Sequence, residues 1–267
     1  MIRLNEKRIE VNHFPDGTLL LKENPGNQNK EDEMIIQWNY ENNEELLAVY
    51  FLTKHLKEAG FQNIVLKMPY IPNARQDRVK KAEDVFTLKY FAELINSLSF
   101  KRVEILDAHS NVSLALIDHV KLLSPKPYID KVIDQIGTDL VLFCPDEGAK
   151  KRYSEMVDLP CCFGIKNRDF STGKIIGLDV WGDTKKLMGK DVLIIDDICS
   201  YGGTFLSSAK KLKEMGANEI NLFVTHLEKS VWNGELLKTD YIKKIYTTDS
   251  IYQKEDENDR IEVITEL

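Results

Sequence analysis

The sequence has few cysteines, and their spacing excludes two classes of small stabilised domain. The four cysteines stand at positions 144, 161, 162 and 199 of a 267-residue chain. This spacing fits neither a disulfide scaffold nor a structural zinc site. Adjacent Cys161 and Cys162 could form a strained vicinal disulfide. We expect reduced thiols instead, because the sequence shows no export signal.

Long apolar stretches and an excess of positive charge are also missing. The longest apolar run, residues 46–52, is too short to span a bilayer, and residues 1–8 contain no apolar secretory segment. We therefore expect a cytoplasmic protein with no role at a membrane. The formal net charge is −7, so we expect no nucleic-acid partner, since such binding usually needs a basic face. No Walker-type phosphate loop is present, so any nucleotide is bound by another route.

Short apolar runs alternate with amphipathic stretches, which predicts an α/β fold with mainly parallel sheets flanked by helices. Strands are predicted at 34–38, 63–68, 102–106, 140–144, 192–195, 219–224 and 261–264, and helices at 42–59, 85–98, 148–156 and 205–215. Residues 175–180 predict a β flap. Two prolines predict a linker at 121–127. The linker divides the chain into domains 1–124 and 125–267, and the last strand is a candidate to return to the first domain.

The segment that follows the predicted strand 192–195 carries the clearest chemical pattern. Asp196 and Asp197 come first, and a glycine-containing turn and a predicted helix follow. Glycine lets backbone amides approach a phosphate, and the helix N-terminus adds partial positive charge. The two carboxylates would repel phosphate, so they suit hydroxyls or a cation. The segment predicts a sugar-phosphate site, although similar turns occur in α/β proteins that bind nothing there. The turn residues are Ser200, Tyr201, Gly202, Gly203 and Thr204.

A second charged segment follows the predicted strand 63–68. It reads Arg75-Gln76-Asp77-Arg78. Arginine offers a bidentate fork for phosphate, glutamine an amide that can read a base edge, and aspartate an orienting acceptor. Taken alone, such a segment is usually a solvated loop.

Together these segments resemble the phosphoribosyl pyrophosphate (PRPP) synthetases, the ribose-phosphate diphosphokinases. Residues 69–78 are similar to the ATP-binding segment of that family, and residues 196–204 to its ribose-phosphate signature. Four further segments occur in the family's order: His-Phe-Pro-Asp-Gly at 13–17, Asp-Ala-His-Ser at 107–110, Pro-Asp-Glu-Gly-Ala-Lys-Lys-Arg at 145–152 and Lys-Asn-Arg at 166–168. The resemblance covers about residues 14–251. It implies two phosphoribosyltransferase-like domains, the first binding ATP and the second ribose 5-phosphate.

The resemblance also implies a role for each matched residue. The ATP-binding residues would be Phe14, Asp16, Arg75, Gln76, Asp77 and His109, with the hairpin of Phe14 reaching a neighbouring subunit of a homo-oligomer, a dimer or higher. Ribose 5-phosphate would be bound by Asp196, Asp197, Ser200, Tyr201, Gly202, Gly203 and Thr204. His109 and Asp146 would lie near Mg²⁺. Lys166, Arg168 and His109 would be catalytic, the first two in a flexible loop. The implied reaction is Mg²⁺-dependent transfer of the diphosphoryl group of ATP to ribose 5-phosphate, giving PRPP and AMP.

Two departures from the family pattern keep alternatives open. Ser200 stands where aspartate is usual, and Thr18 stands where glutamate is usual. One alternative is a catalytically silent, PRPP-synthetase-like regulatory subunit, which the retained Lys166 and Arg168 oppose. Another is a phosphoribosyltransferase that uses PRPP and a nucleobase, which residues 75–78 and the paired domains oppose.

Overall fold

The computed structural model describes residues 1–26, 29–168, 175–256 and 258–265, without the side chains of residues 167, 168, 175 and 176. The chain divides into two compact units, Met1–Ser124 and Pro125–Leu267. Each unit contains a largely parallel sheet with helices against it, so the predicted α/β class is confirmed. In the part of the chain that is described, no helix combines the length and apolar character needed to cross a membrane.

The first unit is built on a six-stranded sheet in the order β2-β1-β5-β6-β7-β8. The strands β5 to β8 are parallel, β1 and β2 are antiparallel, and β3 and β4 form a separate hairpin. The elements are β1 (Ile2–Leu4), β2 (Lys7–Ile9), β3 (Val11–His13), β4 (Leu19–Leu21), β5 (Met34–Trp38), α1 (Glu44–Glu58), β6 (Ile64–Lys67), α2 (Thr87–Ser97), β7 (Arg102–Leu106), α3 (Asn111–Leu116) and β8 (Val120–Leu123).

Helix α1 shows why local sequence is sufficient for several of these elements. The side-chain oxygen of Asn42 accepts hydrogen bonds from the amides of Glu44 and Glu45 at 3.0 and 3.2 Å. The helix ends before Gly60, whose φ of +95° lies in the region that glycine adopts at low cost. The helix therefore agrees with the one predicted at 42–59 to within two residues at each end.

The second unit is built on a seven-stranded sheet in the order β11-β10-β9-β12-β13-β14-β15. The strand β11 runs antiparallel to β10, with which it forms the hairpin predicted as a flap, and the other strand pairs described in this sheet are parallel. The elements are α4 (Lys126–Ile136), β9 (Leu140–Cys144), α5 (Glu147–Tyr153), β10 (Cys161–Arg168), β11 (Ile175–Gly182), β12 (Asp191–Cys199), α6 (Gly203–Glu214), β13 (Ile220–Leu227), β14 (Lys244–Thr248) and β15 (Ile261–Ile264). Short 3-10 turns at Lys229–Asn233 and Leu236–Lys238 connect β13 to β14.

The boundary between the two units falls inside the predicted linker at 121–127. The linker nevertheless has regular structure over most of its length, because β8 continues to Leu123 and α4 begins at Lys126. Pro127 lies in the first turn of α4, where a missing N–H breaks no helical hydrogen bond. The last strand does not return to the first domain, because β15 pairs in parallel with β14 and buries Ile261 and Val263 in the second core.

The strand β12 is longer than the apolar run predicted. It continues from Asp191 to Cys199, so Asp196 and Asp197 lie within the strand and not beyond its end. Parallel pairing with β13 continues through Asp196 to Cys199 and holds these polar residues in the sheet, whereas the pairing with β9 ends at Ile194. The carboxylates are therefore placed on a rigid element.

Candidate functional site

In the first unit, the charged segment after β6 lies against the loop after β7. Asp77 is buried, and its carboxylate accepts hydrogen bonds from Nε and Nη2 of Arg78 at 2.7 and 2.9 Å. Ser110 also bonds to this carboxylate, and His109 is close enough to act on it electrostatically. The Arg78 hydrogen bonds are the main cause that holds the pKa of Asp77 down to about 2. The structure thus brings residues 75–78 and 107–110 together.

The backbone of both loops adopts a conformation that is uncommon for non-glycine residues. Asn73 has a φ of +65° and Asp107 a φ of +46°. Such residues persist where surrounding contacts hold them, and they concentrate at functional sites. The amide of buried Asp107 donates to the carbonyl of Leu123 at 3.1 Å, and Ser110 caps α3 by accepting from the amide of Val112. The loops are therefore fixed in the shape that presents their side chains.

Three side chains of this segment are exposed, those of Arg75, Gln76 and Arg78, and Arg78 is paired with Asp77. The hydroxyl of Thr87 donates to the Gln76 side-chain oxygen at 2.9 Å, which ties the segment to the start of α2. Arg75 and Gln76, which are predicted to bind ligand, therefore lie on a loop that is anchored by the buried Asp77.

Asp77→Asn is expected to make the stability of the protein depend less strongly on pH in the acid range. The folded pKa of Asp77, about 2, lies below the ordinary value of 3.8. The stabilisation is therefore present above about pH 4 and is lost as the pH falls towards about 2. The thermal midpoint, measured by circular dichroism, should be lower in the variant than in wild type at about pH 5. As the pH is lowered to about 2.5, the midpoint of the variant should fall less than that of wild type. Asp118→Asn, at an exposed position, is the matched control, and equal slopes for wild type and Asp77→Asn would contradict the prediction.

The β3–β4 hairpin presents Phe14, whose exposed fraction is 49%. The carboxylate of Asp16 accepts from the amide and the hydroxyl of Thr18 at 3.0 and 2.7 Å, and these bonds lower the pKa of Asp16. Gly17 supplies the left-handed residue of the turn, with a φ of +84°. Thr18, a departure from the family pattern, therefore has a local role in closing the hairpin turn.

In the second unit, three carboxylates lie near one another at the carboxyl ends of β9 and β12. Burial is the largest cause that raises the pKa of Asp196 well above its usual range, and the negative charges of Asp197 and Asp146 add to it. The buried Asp197 is paired with Nη1 of Arg152 at 3.2 Å. Asp146 caps α5, because its Oδ1 accepts from the amide of Ala149 at 2.9 Å. The arrangement therefore brings three carboxylates together, and the guanidinium of Arg152 is paired with one of them.

The glycine-containing turn at residues 200–204 leads directly into α6. Gly202 has a φ of +80°, and its carbonyl accepts from the amide of Leu206 at 3.0 Å. The amides that begin this twelve-residue helix have no partners within the helix, which is the arrangement that binds anions. Tyr201 is exposed, Gly203 is exposed and Thr204 is half-buried.

The segment between β13 and β14 packs closely on this turn. A Cβ at Gly202 would lie 2.6 Å from the side chain of Leu236, and a Cβ at Gly234 would lie 2.0 Å from the carbonyl oxygen of Tyr201. Ser200 donates from Oγ to Oε2 of Glu228 at 2.5 Å. Sequence reasoning missed Glu228, Gly234 and Leu236. Only the Trp-Asn-Gly turn signal at 232–234 hinted at a tight approach there.

The two predicted loop cations lie on the β10–β11 hairpin. Lys166 is half-buried and stands opposite Leu178 in the antiparallel register. The backbone of Arg168 pairs with Ile175 after a register shift, and its side chain lies outside the described residues. The expected cation at Arg168 therefore stays a prediction.

The four cysteines are free thiols, as expected. Cys161 contacts Cys144 on the neighbouring strand, and this hydrogen bond raises the pKa of Cys144 and lowers that of Cys161. The strand register pairs Phe163 with Cys144, which puts Cys161 on the same face as Cys144 and leaves adjacent Cys162 apart from both.

The carboxylates of this site have the oxygen ligands that Mg²⁺ takes in proteins. Within the described ranges, no group of three or more His, Cys, Asp or Glu side chains is arranged to hold a metal. Mg²⁺ keeps several waters and takes one or two protein carboxylates together with substrate phosphates. Asp146, exposed and close enough to Asp196 to raise its pKa, has the donor chemistry for that role.

Most of the first unit matches the model of a known protein family. The model of the N-terminal domain of ribose phosphate pyrophosphokinase matches residues 2–98. Among curated proteins, the ribose-phosphate pyrophosphokinase of Pyrococcus abyssi is 30% identical over 230 residues, which cover 82% of this chain and 75% of that protein. The putative ribose-phosphate pyrophosphokinase 2 of Listeria monocytogenes is 30% identical over 255 residues, which cover 93% of this chain and 80% of that protein.

A solved structure gives the same fold at lower identity. The phosphoribosylpyrophosphate synthetase from Mycobacterium smegmatis superposes with a TM-score of 0.77 over 97% of this chain and 86% of that chain. The sequences are 19% identical in this alignment. The similarity therefore extends over both units of the chain and shows the fold.

Proposed function

The chain belongs to the ribose-phosphate pyrophosphokinase family and is a kinase-type transferase, and from that premise we propose that it makes PRPP from ATP and ribose 5-phosphate. The bond between the β-phosphorus of ATP and the oxygen that bridges it to the α-phosphorus breaks. The 1-hydroxyl oxygen of the sugar bonds to the same β-phosphorus. AMP leaves with the electron pair, and the hydroxyl proton passes to solvent. The observation that carries the proposal is the glycine-containing turn before α6, with Asp196 and Asp197 in the strand that leads to it.

We propose that the second unit binds ribose 5-phosphate. The amides of residues 200–204 and the N-terminus of α6 attract the 5-phosphate, and the hydroxyl of Thr204 donates to it. The carboxylates of Asp196 and Asp197 accept hydrogen bonds from the ribose hydroxyls. Arg152 already balances the charge of Asp197, which limits the repulsion between these acids and an anionic sugar.

We propose that the first unit binds ATP. Arg75 offers its guanidinium to the phosphates and Gln76 its amide to the base, on a loop anchored through Asp77. His109 faces the phosphates as part of the neighbouring loop. The exposed ring of Phe14 suits stacking on the adenine bound by a second copy of the chain, which makes the protein a homo-oligomer.

Mg²⁺ supplies charge neutralisation of the ATP phosphates when bound, and we propose Asp146 and His109 as the residues that serve it. Lys166 and Arg168 neutralise the charge that develops as the diphosphoryl group leaves AMP. Their hairpin suits this role, because a loop that closes also excludes water that would hydrolyse the donor.

The test is the formation of AMP from ATP and Mg²⁺, with and without ribose 5-phosphate. Our proposal predicts AMP only when the sugar phosphate is present, with one PRPP for each AMP. If no AMP forms although both ligands bind, the protein is a silent subunit. If instead PRPP is consumed with a nucleobase, the protein is a phosphoribosyltransferase, and the proposed reaction is wrong.

A further inference from the structure

The first residue of the turn at 200–204 is held by the carboxylate of Glu228, which directly follows β13. Ser200 donates from its hydroxyl to Oε2 of Glu228, and Ser230 donates to the same oxygen at 3.2 Å. The amide of Glu228 donates to the carbonyl of Cys199 at 2.8 Å. Glu228 is therefore joined to the end of β12 through both its backbone and its side chain.

This position is not a solvated surface site. Ser200, Glu228 and Ser230 are all half-buried. The charge of Glu228 also acts on the buried thiol of Cys199, whose pKa is raised first by burial and then by this carboxylate. A partly shielded carboxylate therefore lies directly behind the turn.

A negative charge near a phosphate site opposes binding unless it has a compensating use. Like charges repel, and the repulsion is stronger where the charges are partly shielded from water. Hydrogen bonds from hydroxyls to a carboxylate are about twice as strong as neutral ones, so they can fix a short turn better than Ser200 alone could. The use that fits the geometry is to hold Ser200, and with it the amides that follow, in one conformation.

We propose that Glu228 is a positioning residue for ribose 5-phosphate, acting through Ser200 to fix the turn at residues 200–204. PRPP synthetases usually carry an acid at the position of Ser200. In this chain Glu228, which follows β13, supplies that acid from another part of the sequence. This inference rests on the proposed function, because it takes ribose 5-phosphate as the ligand of the turn. It explains how the loss of the acid at Ser200 is tolerated.

The experiment exchanges the acid between the two positions. Glu228→Ser is expected to weaken ribose 5-phosphate binding, measured by calorimetry without ATP, by about tenfold, because a charge-assisted hydrogen bond is lost. Ser200→Asp is expected to weaken it similarly, because two carboxylates then oppose each other. The double variant Ser200→Asp/Glu228→Ser is expected to bind within about threefold of wild type. The KM for ribose 5-phosphate should follow the same order, with the KM for ATP unchanged.

Rescue by the double variant separates positioning from a general contribution to stability, because two harmful changes would otherwise accumulate. Glu219→Gln, which breaks an ion pair with Lys243 near the opposite end of β13, is the matched control and should bind normally. If wild type binds and the single variants bind equally well, or if the double variant is not rescued, this inference is wrong and the proposed function stands. If wild-type protein does not bind ribose 5-phosphate, both are overturned.

Discussion

Replacing Lys166 with alanine is expected to lower kcat by about 10³-fold, with little change in the affinity for ribose 5-phosphate. Phosphoryl-type transfer depends on charge stabilisation, and one transition-state cation in such a site is worth about 10³–10⁵ in rate. Lys166 is half-buried on β10, and its backbone is paired with Leu178 of β11 in the hairpin. Rapid-quench measurement of AMP formation at saturating substrates reports the loss directly.

Lys186→Ala is the control for this variant. Lys186 is exposed in a 3-10 turn just after β11 and pairs only loosely with Asp183, at 3.9 Å, so its loss should leave kcat within about twofold. Arg168→Ala is expected to behave as Lys166→Ala does. Near-normal turnover in both Lys166→Ala and Arg168→Ala would remove the hairpin from the mechanism.

Gly234→Ala is expected to lower kcat/KM for ribose 5-phosphate by about a hundredfold. The added Cβ would lie 2.0 Å from the carbonyl oxygen of Tyr201, so backbone must move by more than 1 Å to admit it. Displacement by about 1 Å in a site that positions substrate can cost about a hundredfold in rate. The movement falls on the turn at residues 200–204, which we propose as the 5-phosphate site.

Glu235→Ala is the neighbouring control for Gly234→Ala. Glu235 is exposed and its side chain pairs with Lys238, so its replacement should change kcat/KM by less than about twofold. Circular dichroism shows whether Gly234→Ala is folded. A folded variant with wild-type kcat/KM would mean that the turn does not bind the sugar phosphate.

Much of the fold follows from local sequence. The strands β5, β7 and β9 have the predicted bounds, because each is a short and mainly apolar run with most of its residues buried in a largely parallel sheet. The predicted helices also form, with ends within a few residues of those expected. By contrast, the three-residue strands β1 to β4 were missed, because so short a segment carries no measurable periodicity.

The end of β12 and the position of β15 in its sheet depend on strand pairing, which local sequence patterns do not show. The end of β12 could not be read from hydrophobicity, because strand pairing and not apolar character keeps Asp196 and Asp197 in the sheet. The path of β15 was likewise decided by its pairing with β14, since a short apolar strand fits either core equally well from sequence alone.

The sequence by itself determined the chemical groups of the candidate site: the charged segment at 75–78, the two acids in β12 and the turn at 200–204. Only the tertiary structure decided which groups meet. Asp77 contacts Ser110, Asp197 pairs with Arg152, and Ser200 is held by Glu228. The first and third pairs meet because the carboxyl ends of parallel strands lie at one edge of a sheet, and Arg152 reaches Asp197 from the last turn of α5. The residues of each pair lie tens of positions apart in the chain.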